Sequence, residues 1–114
     1  MDIRSMKNED FAKACFERLI DYDALGDDEL RILTDPDECR DRFNHPKPIL
    51  TEIPFETCDL KQLRKDSTGK MRFYAFIERV NGRAFMVTNY WYGPNTRMKD
   101  NRTPFYDWVM MKTK

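Results

Sequence analysis

The segment Met71–Tyr92, MRFYAFIERVNGRAFMVTNYWY, carries the pattern that decides the fold. Two runs rich in aromatic and β-branched residues, Met71–Val80 and Arg83–Tyr92, are separated only by Asn81 and Gly82. Because asparagine and glycine tolerate the positive φ that both central residues of a type I′ turn require, the pattern predicts a two-residue β-hairpin. The turn also predicts the register: Val80 pairs with Arg83, Ile77 with Met86, and Phe73 with Tyr90.

This register sorts the hairpin side chains into two faces, since successive residues of a strand point in opposite directions. We expect the first face to lie on the core; it carries Phe73, Ala75, Ile77, Ala84, Met86 and Tyr90. The second face mixes aromatic, apolar and charged side chains: Arg72, Tyr74, Phe76, Glu78, Val80, Arg83, Phe85, Val87, Asn89 and Trp91. Either the preceding helices cover this second face, or it is an aromatic and cationic surface.

Three helices are predicted before the hairpin. The first has Asn8 as its N-cap, and its apolar residues recur at helical spacing: Phe11, Ala12, Cys15, Phe16, Leu19 and Ile20. The second runs from Asp27 to Leu33. The third runs from Pro36 to about Phe43 behind the capping residue Asp35, because proline at the first helical position loses no hydrogen bond. Cys39 and Phe43 are expected to face inward.

The remaining segments complete an α+β fold. Ile49–Ile53 reads as a short strand, and Glu56–Lys70 as a loop with one helical turn. At the C-terminal end, Thr103 as cap and Pro104 as first residue predict a short aromatic helix, with a third antiparallel strand as the alternative. We therefore expect one domain over residues 1–114, winged-helix-like, with N-terminal helices, an antiparallel hairpin and a C-terminal aromatic helix.

Charge is divided unevenly along the chain. Residues 1–60 contain sixteen acidic and eight basic side chains, whereas residues 61–114 contain four acidic and twelve basic ones, which gives formal charges of −8 and +8. Lobes of opposite sign either neutralise each other or present two surfaces with different partners. The predicted third helix, counted with its cap Asp35, has four acidic and two basic residues, so it does not suit insertion into a DNA groove.

No residue set forms a recognisable catalytic motif or cofactor fingerprint, and we expect no cofactor. The three cysteines, Cys15, Cys39 and Cys58, are odd in number and widely spaced, which favours reduced thiols in the cytoplasm over a disulfide framework or a zinc site. His45, the only histidine, is interpreted as a surface or capping residue. No apolar stretch reaches membrane-spanning length and the first residues lack the apolar core of a signal peptide, so no membrane contact is expected.

The basic half offers the clearest binding hypothesis. Cations neutralise phosphates while aromatic rings stack on exposed bases, and the region on and after the hairpin holds both. The candidate nucleic-acid contacts are Arg72, Tyr74, Arg83, Trp91, Tyr92, Arg97, Lys99 and Arg102. An equally open interpretation places the aromatic residues in the core and pairs the cations with the acidic half.

Two other functions stay open. Helices followed by antiparallel strands, with arginine and tyrosine on the sheet, are similar in layout to metal-independent ribonucleases of the mRNA-interferase toxin type. Alternatively, the acidic N-terminal half binds a basic protein partner, as an adaptor or inhibitor does.

One resemblance extends over roughly Leu33 to Val109. It rests on Leu33-Thr34-Asp35, Cys39, Phe43, Pro48-Ile49-Leu50, Phe73-Tyr74, Asn81-Gly82-Arg83-Ala84-Phe85, Tyr90-Trp91-Tyr92, Asn101-Arg102 and Trp108. These residues resemble a small uncharacterised module of bacterial and phage proteins that sometimes occurs beside DNA-processing domains. The resemblance implies a compact accessory domain and no particular activity.

Overall fold

A computed structural model describes residues 2–54 and 59–114. Its helices are α1 (Asn8–Asp21), α2 (Asp27–Thr34), α3 (Pro36–Phe43), α4 (Leu60–Leu63) and α5 (Arg102–Lys112), and a short 3-10 helix at Ile3–Ser5 precedes them. The strands β1 (Leu50–Glu52), β2 (Phe73–Val80) and β3 (Arg83–Thr88) form an antiparallel sheet in the order β1-β3-β2. The predicted α+β class is confirmed, with helices before the hairpin and an aromatic helix, not a strand, at the C-terminal end.

The N-terminus of α3 follows the predicted capping chemistry. The Asp35 carboxylate accepts the backbone N–H of Asp37 at 2.8 Å and that of Glu38 at 3.4 Å, and Pro36 is the first helical residue. Asn44 ends the helix in the left-handed conformation with φ of 58°. These groups satisfy orphan donors and acceptors at the two helix ends, which explains why local sequence defined α3 so closely.

We expect Asp35→Ala to lower the free energy of unfolding by about 1 kcal/mol, because two N–H groups of the first turn of α3 lose their acceptor. Urea denaturation at neutral pH measures this change. Asp37→Ala is the matched control on the same helix, since the exposed side chain of Asp37 forms an ion pair with the exposed Arg40 and caps no N–H group. Equal losses for the two variants would contradict the capping role.

Two other predicted caps are wrong. Helix α1 already includes Asn8, and the residue before it, Lys7, occupies the cap position without a side-chain hydrogen bond. The Asn8 amide donates instead to the carbonyl of Trp91. Helix α5 begins at Arg102, and the Asp100 carboxylate, not Thr103, accepts the first N–H groups of the helix. At α1 a tertiary contact takes the predicted cap residue away from the helix, and at α5 a neighbouring acid takes the place of the predicted cap.

The hairpin keeps its predicted register only near the turn. Val80 pairs with Arg83 and Ile77 with Met86, and Asn81 and Gly82 both have positive φ. Farther along, an irregularity between Phe73 and Ile77 shifts the pairing, so Phe73 lies opposite Thr88 and the predicted Phe73–Tyr90 pair does not form. Extra residues on one strand produce such a bulge and bend that strand. Strand β1 pairs with the other edge of β3.

The face predicted as core is the wrong one. Phe85 and Val87 on the second face have no exposed surface, while Ala75 on the first face is exposed and Ile77 is half-buried. Tyr74 and Phe76 on the second face pack against the core cluster. The helices therefore cover the second face, as the first of the two alternatives stated. The sequence did contain a signal for the correct face: the second face carries larger side chains, whereas the first includes the small residues Ala75 and Ala84.

An aromatic cluster joins the helices to the sheet. Phe105 of α5 is fully buried, and its ring lies within 6.4 Å, between centroids, of five other rings. These belong to Phe11, Phe16, Phe43, Trp91 and Trp108. The predicted inward positions of Cys39 and Phe43 are confirmed, as both side chains are buried. The core thus lies between α1, α3, α5 and the inner face of the hairpin.

Candidate nucleic-acid interface

Two adjoining clefts meet at the half-buried side chain of Tyr90, just beyond the end of β3. One has a volume of about 120 Å³ and includes Lys47, Arg72 and Phe73 in its lining; the other, of about 270 Å³, includes Arg40 and Lys99. We call these two clefts together the Tyr90 surface. No aspartate or glutamate of the described residues lines either cleft. The surface therefore combines an accessible aromatic ring with cations and lacks lining acids.

The loop that carries Lys99 is tied to the body of the protein by two asparagines. The buried Asn101 accepts the N–H of Tyr92 at 2.8 Å and donates to the carbonyl of Tyr90 at 3.3 Å. At the C-terminus of α3, Asn44 donates to the carbonyl of Asp100 at 3.1 Å. These bonds hold the base of the loop beside Tyr90. The basic residues Arg97 and Lys99 therefore belong to a loop whose C-terminal end is anchored.

The four cations of the Tyr90 surface differ in how far they are neutralised. Arg72 Nε lies 2.6 Å from Asp66 Oδ2, and Arg40 contacts the exposed Asp37 and Asp41. Lys47 and Lys99 are exposed and form no ion pair with the residues the structure describes. Hydrogen bonds from Thr68 and from Arg72 lower the pKa of Asp66, so that this acid stays charged even in mildly acidic solution. The lysines carry the uncompensated charge.

His45 lies directly beneath this surface. Its ring is fully buried, with Nδ1 2.6 Å from the carbonyl of Lys47 and Nε2 2.7 Å from the carbonyl of Tyr90. The interpretation of His45 as a surface or capping residue is therefore wrong, because the loop after α3 folds the ring inward against Tyr90 and Trp91. Burial lowers the pKa of the His45 imidazole, although the two carbonyls favour its protonated form.

The structure gathers only some of the predicted contact residues. Arg72 and Lys99 line the Tyr90 surface, Arg97 is exposed in the adjoining loop, and the half-buried Tyr92 has its ring 4.9 Å from that of Tyr90.

Trp91 was predicted to offer a stacking surface, and this prediction is wrong. Its ring is 2% exposed, packs on Phe11 and Phe105, and donates its N–H to the carbonyl of Thr88. A ring enclosed in this way has no face left for a base. Its partners belong to α1, α5 and the end of β3, so the side chain serves the core.

Tyr74, Arg83 and Arg102 lie away from the Tyr90 surface. Tyr74 is stacked on Phe76 at 5.3 Å and packs against the core cluster. Arg83, beside the hairpin turn, forms a bidentate pair with Glu52 at 2.8 and 3.0 Å. Arg102 donates to groups at the start of the chain. The prediction of one continuous contact set is therefore replaced by a smaller group around Tyr90.

Sequence reasoning missed Tyr90, Lys47 and Arg40 as members of the site. Tyr90 was assigned to the core because the regular register placed it opposite Phe73, and the bulge in β2 removed that pairing. Lys47 lies between Pro46 and Pro48, and this pair of prolines indicated an extended loop next to His45. Nothing local in the sequence connects that loop to the hairpin.

The two charged halves of the chain neutralise each other in part. Arg83 pairs with Glu52 and Lys112 with Glu29 at 3.1 Å, each pair joining a base of the second half to an acid of the first. The acids of α3 contact Arg40 and Arg42 on their own helix. Arg83 and Lys112 are therefore compensated by acids of the first half, whereas Lys47 and Lys99 form no ion pair with the residues the structure describes.

The thiols described by the structure are unsuited to nucleophilic chemistry. Burial raises the pKa of Cys15 to about 12 and that of Cys39 to about 11, so both are protonated at neutral pH. Cys58 lies outside the described residues. Within residues 2–54 and 59–114, no three histidine, cysteine or acidic side chains are grouped as a metal site would require. Over the same ranges, no helix has the length and apolar character to cross a membrane.

No protein-family model, curated protein or solved structure matches this chain. The resemblance to a bacterial and phage accessory module therefore stays a prediction.

Proposed function

We propose that the chain is a non-enzymatic binding module that contacts nucleic acid through the Tyr90 surface. The observation that carries the proposal is a half-buried aromatic ring shared by two clefts, each lined by basic side chains and by no acid of the described residues. Cationic grooves that follow the phosphate backbone and aromatic rings that stack on bases are the two elements of single-strand binding. Single-stranded DNA or RNA is therefore the favoured ligand.

The roles follow from the charges. Lys47 and Lys99, which line the two clefts that share Tyr90, neutralise phosphates, and Arg97 extends the positive charge along the loop. Tyr90 supplies the stacking face, with Tyr92 packed against it as support. Cytoplasmic location, where the buried thiols stay reduced, and a bacterial or phage origin belong to the same proposal.

Affinity for a labelled single strand, measured by fluorescence anisotropy between 50 and 200 mM salt, tests the proposal. For single strands, each phosphate contact contributes about 0.7 to the slope of log K against log salt, so Lys47→Gln with Lys99→Gln should reduce that slope by about 1.4. Lys61→Gln with Lys114→Gln removes the same charge from exposed positions outside the Tyr90 surface and should leave the slope nearly unchanged.

The outcomes separate the rival functions. Equal slopes for the two double variants would overturn the role of the Tyr90 surface. Cleavage of RNA without added metal would favour the ribonuclease. Absence of binding to either nucleic acid, together with capture of a basic protein, would favour the acidic adaptor.

A further inference from the structure

A separate cleft lies between the N-terminal 3-10 helix and the start of α5. It has a volume of about 310 Å³, at the lower end of the range for small-molecule sites. We call it the Arg102 cleft, and its lining includes Arg4, Phe11, Pro94, Arg102, Thr103 and Tyr106. Basic and aromatic side chains therefore converge here, at a place distinct from the Tyr90 surface.

Arg102 brings a positive charge into this cleft, and its guanidinium bonds neutral acceptors among the described residues. Its guanidinium donates to the carbonyls of Met6 at 2.7 Å and Arg4 at 3.1 Å, and to Asn8 Oδ1 at 3.0 Å. All three acceptors are neutral, and no carboxylate of the described residues forms an ion pair with Arg102. Burial lowers the pKa of this guanidinium and outweighs the nearby charge of Asp100, whose carboxylate accepts backbone N–H groups at the start of α5.

The guanidinium also retains hydrogen-bonding capacity. An arginine has five N–H groups, and the described acceptors of Arg102 account for three of them. One face of the guanidinium is fixed by the ring of Phe11, whose centroid is 4.2 Å away. The group is thus held rigidly, with donors left over for an anionic ligand.

The rest of the cleft supplies a second cation and a flat wall. Arg4 is paired with the exposed Asp2 at 2.9 Å, and its guanidinium lies 5.4 Å from the ring centroid of Tyr106. The Tyr106 ring is half-buried, and Pro94 lines the same cleft. Proline and tyrosine thus give the cleft an apolar lining beside the positive charge of Arg102.

We propose that the Arg102 cleft binds a small aromatic anion, whose carboxylate or phosphate contacts Arg102 and whose ring packs against Tyr106. The carboxylate and the phosphate share the chemistry that an arginine recognises, an anionic group with several acceptor oxygens. The ring accounts for the apolar part of the lining. This site is independent of nucleic-acid binding at Tyr90.

Isothermal titration with benzoate and with phenyl phosphate tests the site, with benzyl alcohol as the neutral probe and inorganic phosphate as the probe without a ring. We expect saturable binding of at least one aromatic anion and weaker binding of the other two probes. The stronger of benzoate and phenyl phosphate identifies the preferred head group. Equal binding of benzyl alcohol and the aromatic anions would overturn the role of charge.

Two variants change affinity in opposite directions. Arg102→Gln should weaken binding tenfold or more, since a hydrogen bond to a charged group contributes about 1.5–3 kcal/mol. Asp2→Asn should tighten it about two- to fivefold, because it releases Arg4 from an exposed pair of the strength usual at surfaces. Arg83→Gln removes a cation elsewhere and serves as control. Full affinity in Arg102→Gln would overturn the proposal, and unchanged affinity in Asp2→Asn would overturn the contribution of Arg4 to the cleft.

Discussion

Phe105→Ala is expected to lower the free energy of unfolding by about 4 kcal/mol, within the range for removing a buried phenylalanine. Phe105 has no exposed surface and is surrounded by rings from α1, α3, α5 and the segment after β3. The truncation leaves a cavity that rigid aromatic neighbours fill poorly. Because domains of this size are stable by roughly 5–15 kcal/mol, the variant should approach the limit of folding.

Urea denaturation followed by tryptophan fluorescence measures the loss, and Trp91 and Trp108 both contact Phe105. Met111→Ala is the matched control, since Met111 lies on the same helix and is 55% exposed. It removes apolar volume from α5 without opening a cavity and should change stability by less than about 0.5 kcal/mol. A loss below about 1 kcal/mol for Phe105→Ala would contradict its central position in the core.

Elements fixed by local chemistry were predictable from sequence. Helix α3 begins where expected because Asp35 accepts a backbone N–H of the first turn and Pro36, the first helical residue, has no N–H to satisfy. It ends at Phe43, as predicted. The Asn81–Gly82 turn fixes the pairs nearest to it, since both residues adopt the positive φ that the turn requires. In each case the stabilising groups lie within a few residues of one another.

Features decided by distant packing were not predictable. Either face of the hairpin carries enough apolar residues to form a core, and α1 selects the face with Phe76 and Phe85 by packing against it. No glycine or other turn residue marks the bulge between Phe73 and Ile77, so the sequence gives no local signal for the shift in pairing between β2 and β3. Asn8 was mistaken for a cap because its partners, Trp91 and Arg102, are more than eighty residues away in the chain.

The candidate site shows the same division. The basic character of the loop at Arg97 and Lys99 is evident from composition, and the structure leaves both residues exposed. Joining them to Lys47 and Tyr90 requires the loop after α3 to meet the end of β3, which the buried His45 brings about. The sequence therefore indicated that the surface is positively charged, whereas the position of Tyr90 at its centre depended on tertiary contacts.

The same histidine should make stability fall as pH is lowered from about 6.5 to 5. Burial lowers the pKa of His45 in the folded state below the ordinary value of 6.5. The unfolded chain therefore binds a proton more readily in this range, and protonation favours unfolding. The stabilising effect is complete above pH 6.5 and is lost as pH falls toward the folded-state pKa. A neutral ring donates to only one of its two carbonyl neighbours, and burial outweighs the second bond that protonation would add.

The acids whose pKa is lowered do not interfere in this window. Glu29 and Glu52 start from an ordinary value of 4.5 and Asp66 from 3.8, so their contributions disappear at lower pH. The raised pKa values of Cys15 and Cys39 matter only in alkaline solution, above about pH 9. Burial and the charge of Glu17 raise the pKa of Glu78 above 4.5, which adds stability at the acidic end of this interval and opposes the histidine. His45 is the only histidine of the chain, so its contribution is the difference between the wild type and His45→Gln.

His45→Gln should remove this pH dependence while lowering stability at pH 7.5 by about 1–3 kcal/mol, the cost of leaving a buried polar group without its partner. Urea denaturation of both proteins at several pH values between 5 and 7.5 measures the two effects. A direct reading of the wild-type ring comes from its NMR resonances, which belong to a single histidine and should titrate below pH 6.5. A titration midpoint above that value would mean that the carbonyls of Lys47 and Tyr90 outweigh burial, and stability would then rise as the pH fell.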